Sequence, residues 1–545
     1  MDRISLLKPI ALSNSENPNR MLEQKYWYHK AYMDTCGERF HNIRRAKMDC
    51  IFYDNYSIEI TPNELIAGRF SNNFTLTPEQ EKELDRAVEA VKYGGSMSGH
   101  LLSMTGHRVL DYEKMLNRGI RYIIGEIDTK LEKIDYSQPG HAEKAVFYKA
   151  AKITLEGFCR FAVRHSETLQ NLAANEPDPR LKAEYKMMAN NFSKAPYEPC
   201  TTFYEALQCM WLLQHTMNLF SDPSLTGRFD NYMYPFYKKD IENGTIDKDF
   251  AYKLIENLYL KHNEIYGTWP AALMVGGVDK QGNPVWNELS EMCIDAIETT
   301  GLINPSVAVA YTEDMPEALL DKCIRIIGKG YTKPSLFNDR VVRQGLEDAG
   351  MDPSDARYYI HSTCVEITPV ASSNIMVTAP YINPCKALEY VLGDKQKIYG
   401  AECGIERDIQ ISEEDISTFE GFYKKVKTAL TEIIRVCLVN DCNIALERKR
   451  YQSSPLASAF LDDCIERGLD ASASGAKYNY FYPCFPGFVT LVDSLQAVKT
   501  AKKMLLFTPG QYVALTPAHS ALFRFGCASV RKLARSTVHG CACQG

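Results

Sequence analysis

A thiol and a carboxylate stand two residues apart at Cys364 and Glu366, within the run HSTCVEITP at 361–369. In extended backbone, residues two apart project from the same side, so both groups can face one substrate. A sulfur beside a base suits two chemistries. One is nucleophilic attack by a thiolate; the other is hydrogen-atom abstraction by sulfur followed by removal of a proton. Thiolate attack usually needs a histidine to lower the thiol pKa. His361 lies three residues before the cysteine on the same run, but no cysteine-protease signature surrounds Cys364. A lone cysteine is more often packed than reactive, so the context of the run has to carry the reading.

The elements that must position this run are legible from its surroundings. From about residue 270, β-rich runs begin at 271 (AALMV), 306 (SVAVA), 334 (PSLF) and 357 (RYYI), with amphipathic stretches between them. Strand and helix in alternation predict parallel strands, whose functional loops gather at their carboxyl ends, and RYYI leads straight into HSTCVEITP. The clearest intervening helix is expected to open at Asp314, with Pro316 and Glu317 in its first turn. Its apolar face is Leu319, Leu320, Cys323, Ile324 and Ile327, and it stops at Gly328 and Gly330. The first 260 residues read as mainly helical. There, Thr202 caps a helix with Glu205 completing a capping box, and Leu207, Met210, Trp211 and Met217 form the apolar face.

Composition bounds the partners. With 545 residues, 45% hydrophobic and 24% charged, the chain has the balance of a globular protein able to bury a large core. Its 62 basic and 68 acidic residues leave no global basic surface for nucleic acid or an anionic membrane, so a small molecule is the expected ligand. Neither a signal-like apolar run at the N-terminus nor an eighteen-residue apolar stretch is present, which predicts a cytoplasmic protein. The seventeen cysteines are scattered and expected to be reduced. Cys541 and Cys543 form a C-x-C pair without further ligands, so no metal is assigned.

The segment STCVEITP resembles the active-site cysteine loop of glycyl radical enzymes of the pyruvate formate-lyase superfamily. In the dehydratase and lyase branch the thiyl cysteine is paired with a glutamate two residues later. Further segments resemble the superfamily in order: NELIAGR at 63–69, GHRVLDYEKML at 106–116, TTFYEALQCMW at 201–211, GRFDNYMYPFYKKD at 227–240, GGVDKQGN at 276–283, PSLFND at 334–339, and SGAKYN with VDSLQAVK within 474–499. The resemblance spans residues 60–500 and implies a ten-stranded α/β barrel surrounded by helices, incomplete at the C-terminus. It implies Cys364 as the thiyl and Glu366 as the general base. By the same resemblance His107 lies near the substrate pocket. Asn304 and Ser306, at the start of a predicted barrel strand, are candidates to hydrogen-bond substrate hydroxyls or to cap a turn. Gly68, Gly227 and Gly277 read as turn positions needing positive φ. No bound cofactor is implied; the radical would be installed by an activating enzyme using S-adenosylmethionine and an iron–sulfur cluster. A homodimer is common in the family. The chain departs from the pattern at Thr363, where relatives have glycine, and at Ile367, where many have proline.

The end of the chain reads differently. After Asp493 none of the 52 remaining residues is acidic, against roughly six expected from the chain average. An Arg-Val-x-Gly-Tyr-like loop for the radical glycine is absent, and neither Gly540 nor Gly545 has that context. The sequence therefore predicts a catalytic domain over 1–500 and an atypical tail over 501–545, read as out-of-frame translation. The expected function is that of a glycyl radical lyase or dehydratase, inactive alone. The alternatives are half of a split enzyme, a non-catalytic homologue that binds a metabolite or partner, and a thiolate enzyme.

Overall fold

Strands Ala272–Gly276 (β2) and Ser306–Tyr311 (β3) are nearly unbroken apolar runs because both faces are covered. They form the centre of a four-stranded parallel sheet in the order β1-β2-β3-β4, with Gly227–Arg228 as β1 and Ser335–Asn338 as β4. Leu273 registers with Gly227 on one side and Val307 on the other, and Val309 with Leu336. The crossovers run through helices Glu288–Thr300 and Glu317–Gly328. These elements belong to a computed structural model that describes residues 2–93, 108–220, 222–266, 271–362, 366–374, 376–392 and 418–503.

The predicted strand RYYI departs from the expected pattern. Tyr359–His361 (β5) does not join the parallel sheet as a further strand; it pairs antiparallel with Ile367–Pro369 (β6), Ile360 opposite Thr368. The hairpin packs against β1 and β2. The helix expected to open at Asp314 begins instead at Glu317, with Pro316 at its N-cap in extended backbone. Its buried face is Leu319, Cys323 and Ile326, while Ile324 and Ile327 face solvent. Five apolar residues would make a stripe wider than the surface the helix covers.

The first 260 residues are helical as expected. Thr202 accepts a hydrogen bond from the Glu205 N–H at 3.2 Å and caps helix Phe203–Leu219. The Glu205 carboxylate reaches back one residue further than a capping box requires, to the Thr201 N–H and hydroxyl. This helix is buried almost all round, so its polar side chains must find partners inside the protein. Gln208 pairs with both the N–H and the carbonyl of Ala67 at 2.9 Å, and Trp211 Nε1 donates to the Gly68 carbonyl at 2.9 Å. Asn257 accepts from the N–H groups of Leu65 and Ile66. Side chains of two helices thus hold NELIAGR, a segment without secondary structure of its own.

The described residues divide into two compact units. The first comprises the described residues within 1–377 and 445–480, the second those within 378–444 and from 481 on. In the second unit, Met376–Tyr381 (β7) pairs with Phe481–Cys484 (β8). Its core joins Ile382, Leu388, Phe422, Ile433 and Leu491. No helix among the described residues is long and apolar enough to cross a membrane, and the twelve described cysteines are free thiols.

Two predictions follow from the core of the first unit. Gly277 has φ 74°, and a Cβ there would stand 2.6 Å from Arg228 Nη2 and 2.8 Å from Ala310 Cβ. Gly277→Ala is therefore expected to destabilise the protein by at least about 2 kcal/mol, read from the urea midpoint. Second, burial pushes the imidazoles of His165 and His361 down to about 4 and of His262 to about 3. These groups stay neutral when folded but take a proton near pH 6.5 when unfolded. Each weakens the fold by up to roughly 1.4 kcal/mol per pH unit as pH falls from 6.5 toward 4. Asp230 and Asp462, both raised to about 6 by burial, act in the opposite sense. Histidines and carboxyls thus pull against each other below pH 6.5, and the clear slope lies above pH 7. Burial lowers the Lys333 amine to about 7 while the unfolded chain keeps it protonated, so the urea midpoint should rise between pH 7 and 8.

Candidate functional site

The hairpin β5–β6 carries the run singled out in the sequence. Its ladder closes at the Ser362 N–H, which donates to the Glu366 carbonyl at 2.5 Å, so the two ends of the intervening turn are fixed. The Ser362 hydroxyl also donates to the Glu366 carboxylate. Glu366 is half-buried and oriented by that contact, rather than free to swing into solvent. Cys364, with Thr363 and Val365, lies outside the described residues, as does His107.

At the carboxyl ends of the strands a fully buried guanidinium meets the hairpin. Arg228, the last residue of β1, donates to the Gly276 carbonyl and, at 3.2 Å, to that of Val278. On the hairpin side it reaches the carbonyls of Tyr359 at 3.3 Å and Arg357 at 3.4 Å. Its charge is balanced by buried carboxylates. Asp230 accepts from the Gly276 N–H at 2.7 Å and the Ser290 hydroxyl at 2.5 Å, and Asp339 pairs with Arg343 at 2.6 Å. Burial pushes the Asp230 carboxyl up to about 6 against the pull of Arg228 and these hydrogen bonds.

From there the hairpin runs toward the amino ends of the strands. His361 Nε2 lies 3.3 Å from the Ser306 hydroxyl at the start of β3, and its ring packs on Phe337 of β4 with centroids 5.4 Å apart. The imidazole is fully buried and held down to about 4 by that burial, so it is neutral at physiological pH. Of the sequence candidates, the structure brings Ser306 to the hairpin. Asn304 is buried behind it and accepts from the Ala271 N–H at 2.8 Å, tying the turn before β3 to the start of β2. Lys333 donates to the carbonyls of Ile303 and Pro305 on either side of Asn304. This lysine has no carboxylate partner among the described residues, and burial pushes its amine down to about 7.

A second set of groups holds the far end of the hairpin. Thr368 and Ser373 share a hydrogen bond at 2.8 Å, and Ser373 donates to the Pro369 carbonyl at 2.9 Å. Asn374 donates to the Ala471 carbonyl at 2.7 Å and accepts from the buried Arg108 guanidinium, which is paired with Asp222. Asp222 accepts in turn from Ser454, whose N–H is bound by Asp470 at 3.1 Å. Sequence reasoning missed Arg228, Arg108, Asp222 and Asp470. The available signal for Arg228 was its place in GRFDNY, directly after the positive-φ Gly227 and before the strand-like run at 271.

The sequence model described as pyruvate formate lyase-like matches residues 76–507. The chain is 29% identical to the (2S)-3-sulfopropanediol dehydratase of Klebsiella oxytoca, over 72% of this chain and 49% of that enzyme. It is 30% identical to the isethionate sulfite-lyase of Oleidesulfovibrio alaskensis, over 72% of this chain and 50% of the lyase. The chain thus spans about half the length of the curated relatives it matches. Among solved structures it is similar to a glycyl radical enzyme from Archaeoglobus fulgidus, with a TM-score of 0.83 at 25% identity over 96% of this chain and 75% of the other. The hydroxyproline dehydratase of Clostridioides difficile superposes with a TM-score of 0.82 at 22% identity, over 95% and 74% of the two chains, which speaks for the fold alone. The family match over most of its length places the chain in the pyruvate formate lyase-like family, among relatives that are glycyl radical dehydratases and lyases.

Proposed function

We propose that the chain is the catalytic domain of a glycyl radical lyase of the dehydratase type, with Cys364 as the hydrogen-abstracting thiyl and Glu366 as general base. The observation that carries this reading is the hairpin that clamps the ends of the Cys364 turn and orients the Glu366 carboxylate through Ser362. A radical delivered to Cys364, generated with the help of an S-adenosylmethionine-dependent activating enzyme, supplies the oxidising sulfur. The sulfur takes a hydrogen atom from a substrate carbon that bears a hydroxyl, forming S–H as C–H breaks. The remaining carbon radical acidifies that hydroxyl, and Glu366 takes its proton. The neighbouring carbon then releases its leaving group with the bonding electron pair. The resulting carbonyl-stabilised radical recovers the hydrogen atom from Cys364, which restores the thiyl. Ser306, beside His361, is the described side chain best placed to bind a substrate hydroxyl, and Asn304 serves to hold its turn.

The neutral, buried His361 argues against the thiolate reading. An imidazole held down to about 4 is a poor proton acceptor for a thiol at neutral pH.

The test is turnover under anaerobic conditions after activation, with the radical supplied by a polypeptide that carries the glycine loop absent from this sequence. Small 1,2-diols, hydroxyprolines and hydroxyalkyl sulfonates are offered, and products are read by NMR. Loss of the group next to the hydroxyl carbon is expected for one class. Cys364→Ser should abolish it, and Glu366→Gln should lower kcat by roughly 10²–10⁴. A radical-bearing protein that converts none of them, or a Cys364→Ser variant as active as the parent, would refute the assignment.

A further inference from the structure

Arg228 has the geometry of a clamp between two elements that are otherwise joined at longer range, by Arg357 donating to the Lys280 carbonyl at 3.5 Å and by Lys280 over the Tyr358 ring at 5.0 Å. Its guanidinium lies among four backbone carbonyls, Gly276 and Val278 after β2 on one side, Arg357 and Tyr359 leading into the hairpin on the other. The residue is fully buried, and its ring neighbours are Tyr358 and Tyr359, with Cζ about 6 Å from each centroid. The charged groups near it include Asp230, Asp339, Arg343 and Lys280. Gly277 has no Cβ, and a Cβ would collide with the guanidinium, so the backbone leaves space for the arginine.

We propose that Arg228 is a positioning residue: it welds the first strand of the hairpin to the carboxyl end of β2 and thereby sets the depth at which the hairpin presents the Glu366 carboxylate. The proposal rests on the reading of that hairpin as catalytic. A planar guanidinium with five donors can span carbonyls on two elements at once, whereas an ammonium on a flexible stem cannot. The hairpin's own ladder is short, three residues per strand, so it has little intrinsic rigidity. Small displacements at a reacting group are costly, a shift of about 1 Å being enough to lose roughly 10² in rate.

Hydrogen–deuterium exchange on the intact protein and on Arg228→Lys tests the clamp. The amides of Ile360, Ser362, Thr368 and Val370 report the hairpin, and those of helix Phe203–Leu219 report the fold. The expected result is at least tenfold faster exchange in the hairpin with the helix unchanged. In the activated enzyme, kcat should fall by roughly 10–10² while KM stays within error. Unchanged exchange in the hairpin overturns the proposal. Equal acceleration in hairpin and helix overturns it as well, because Arg228 would then be holding the whole fold. If the parent enzyme turns over no substrate, the catalytic reading fails, yet the exchange comparison still decides whether Arg228 holds the hairpin.

Discussion

Backbone that leaves a sheet ladder inside a dry interior must still pair its N–H and C=O groups, and this constraint governs the whole region around the β5–β6 hairpin. The neighbouring strands β2 and β3 offer only apolar side chains over most of their length. Within the hairpin Ile360 stands opposite Thr368, and the ladder is continued by the Ser362 N–H to the Glu366 carbonyl and by the Val370 N–H to the Tyr358 carbonyl. The remaining carbonyls are met by charged and polar groups brought from far along the chain: Arg228 where the hairpin enters, Ser373 and the Asn374–Arg108 pair where it leaves. The described ends of the hairpin, Ser362 and Glu366, are thus held by backbone whose support comes largely from side chains outside it.

That support requires burying charge. An unpaired guanidinium in the interior would cost several kcal/mol, and each one here has a carboxylate nearby. Arg108 pairs with Asp222, and Arg228 sits by Asp230 and Asp339. The same solution recurs where helix Lys248–Tyr266 meets NELIAGR: Lys261 pairs with Glu64 at 2.5 Å, and Arg69 with Glu264 at 2.6 Å, all four side chains buried. Such pairs add little net stability compared with apolar packing, but losing one partner strands the other. They make the arrangement intolerant of slippage, which suits a site whose reacting groups must not drift.

How much of this was legible follows from the range of each interaction. Strand β4, exposed at Leu336 and Asn338, was marked only by its place after a helix, whereas apolar runs marked β2 and β3, because a strand covered on both faces announces itself locally. Thr202 marked the start of its helix for the same reason. The direction of β5 was not legible: RYYI is as suitable for a parallel strand as for a hairpin, and the choice is made by its partner ten residues on. The face of helix Glu317–Gly328 was misplaced because Ile324 and Ile327 look like core residues but overhang the surface the helix covers. The Cys-x-Glu spacing was visible as chemistry, and Ser306 as a strand start. The arginines were not, since an isolated Arg in a sequence reads as surface, and only contacts spanning about a hundred residues or more reveal Arg228 and Arg108 as interior.

The buried histidine brings the fold and the chemistry together. A site built for thiolate attack wants a partly solvated imidazole able to hold a proton, because the cation stabilises the sulfur anion. A site built for radical transfer wants the reverse: neutral groups, little water, and no proton acceptor competing for the thiol. His361, packed on Phe337 and kept neutral by burial, meets the second requirement and fails the first. In the run HSTCVEITP the one carboxylate is Glu366, the group to which the proposed reading gives the substrate proton. Under the proposed radical chemistry, a neutral imidazole against an aromatic ring and a carboxylate two residues beyond the sulfur in sequence would divide the work between an uncharged abstraction and a single proton transfer. The desolvation that depresses the histidine is therefore the same property that would shelter a radical, and one packing arrangement accounts for both.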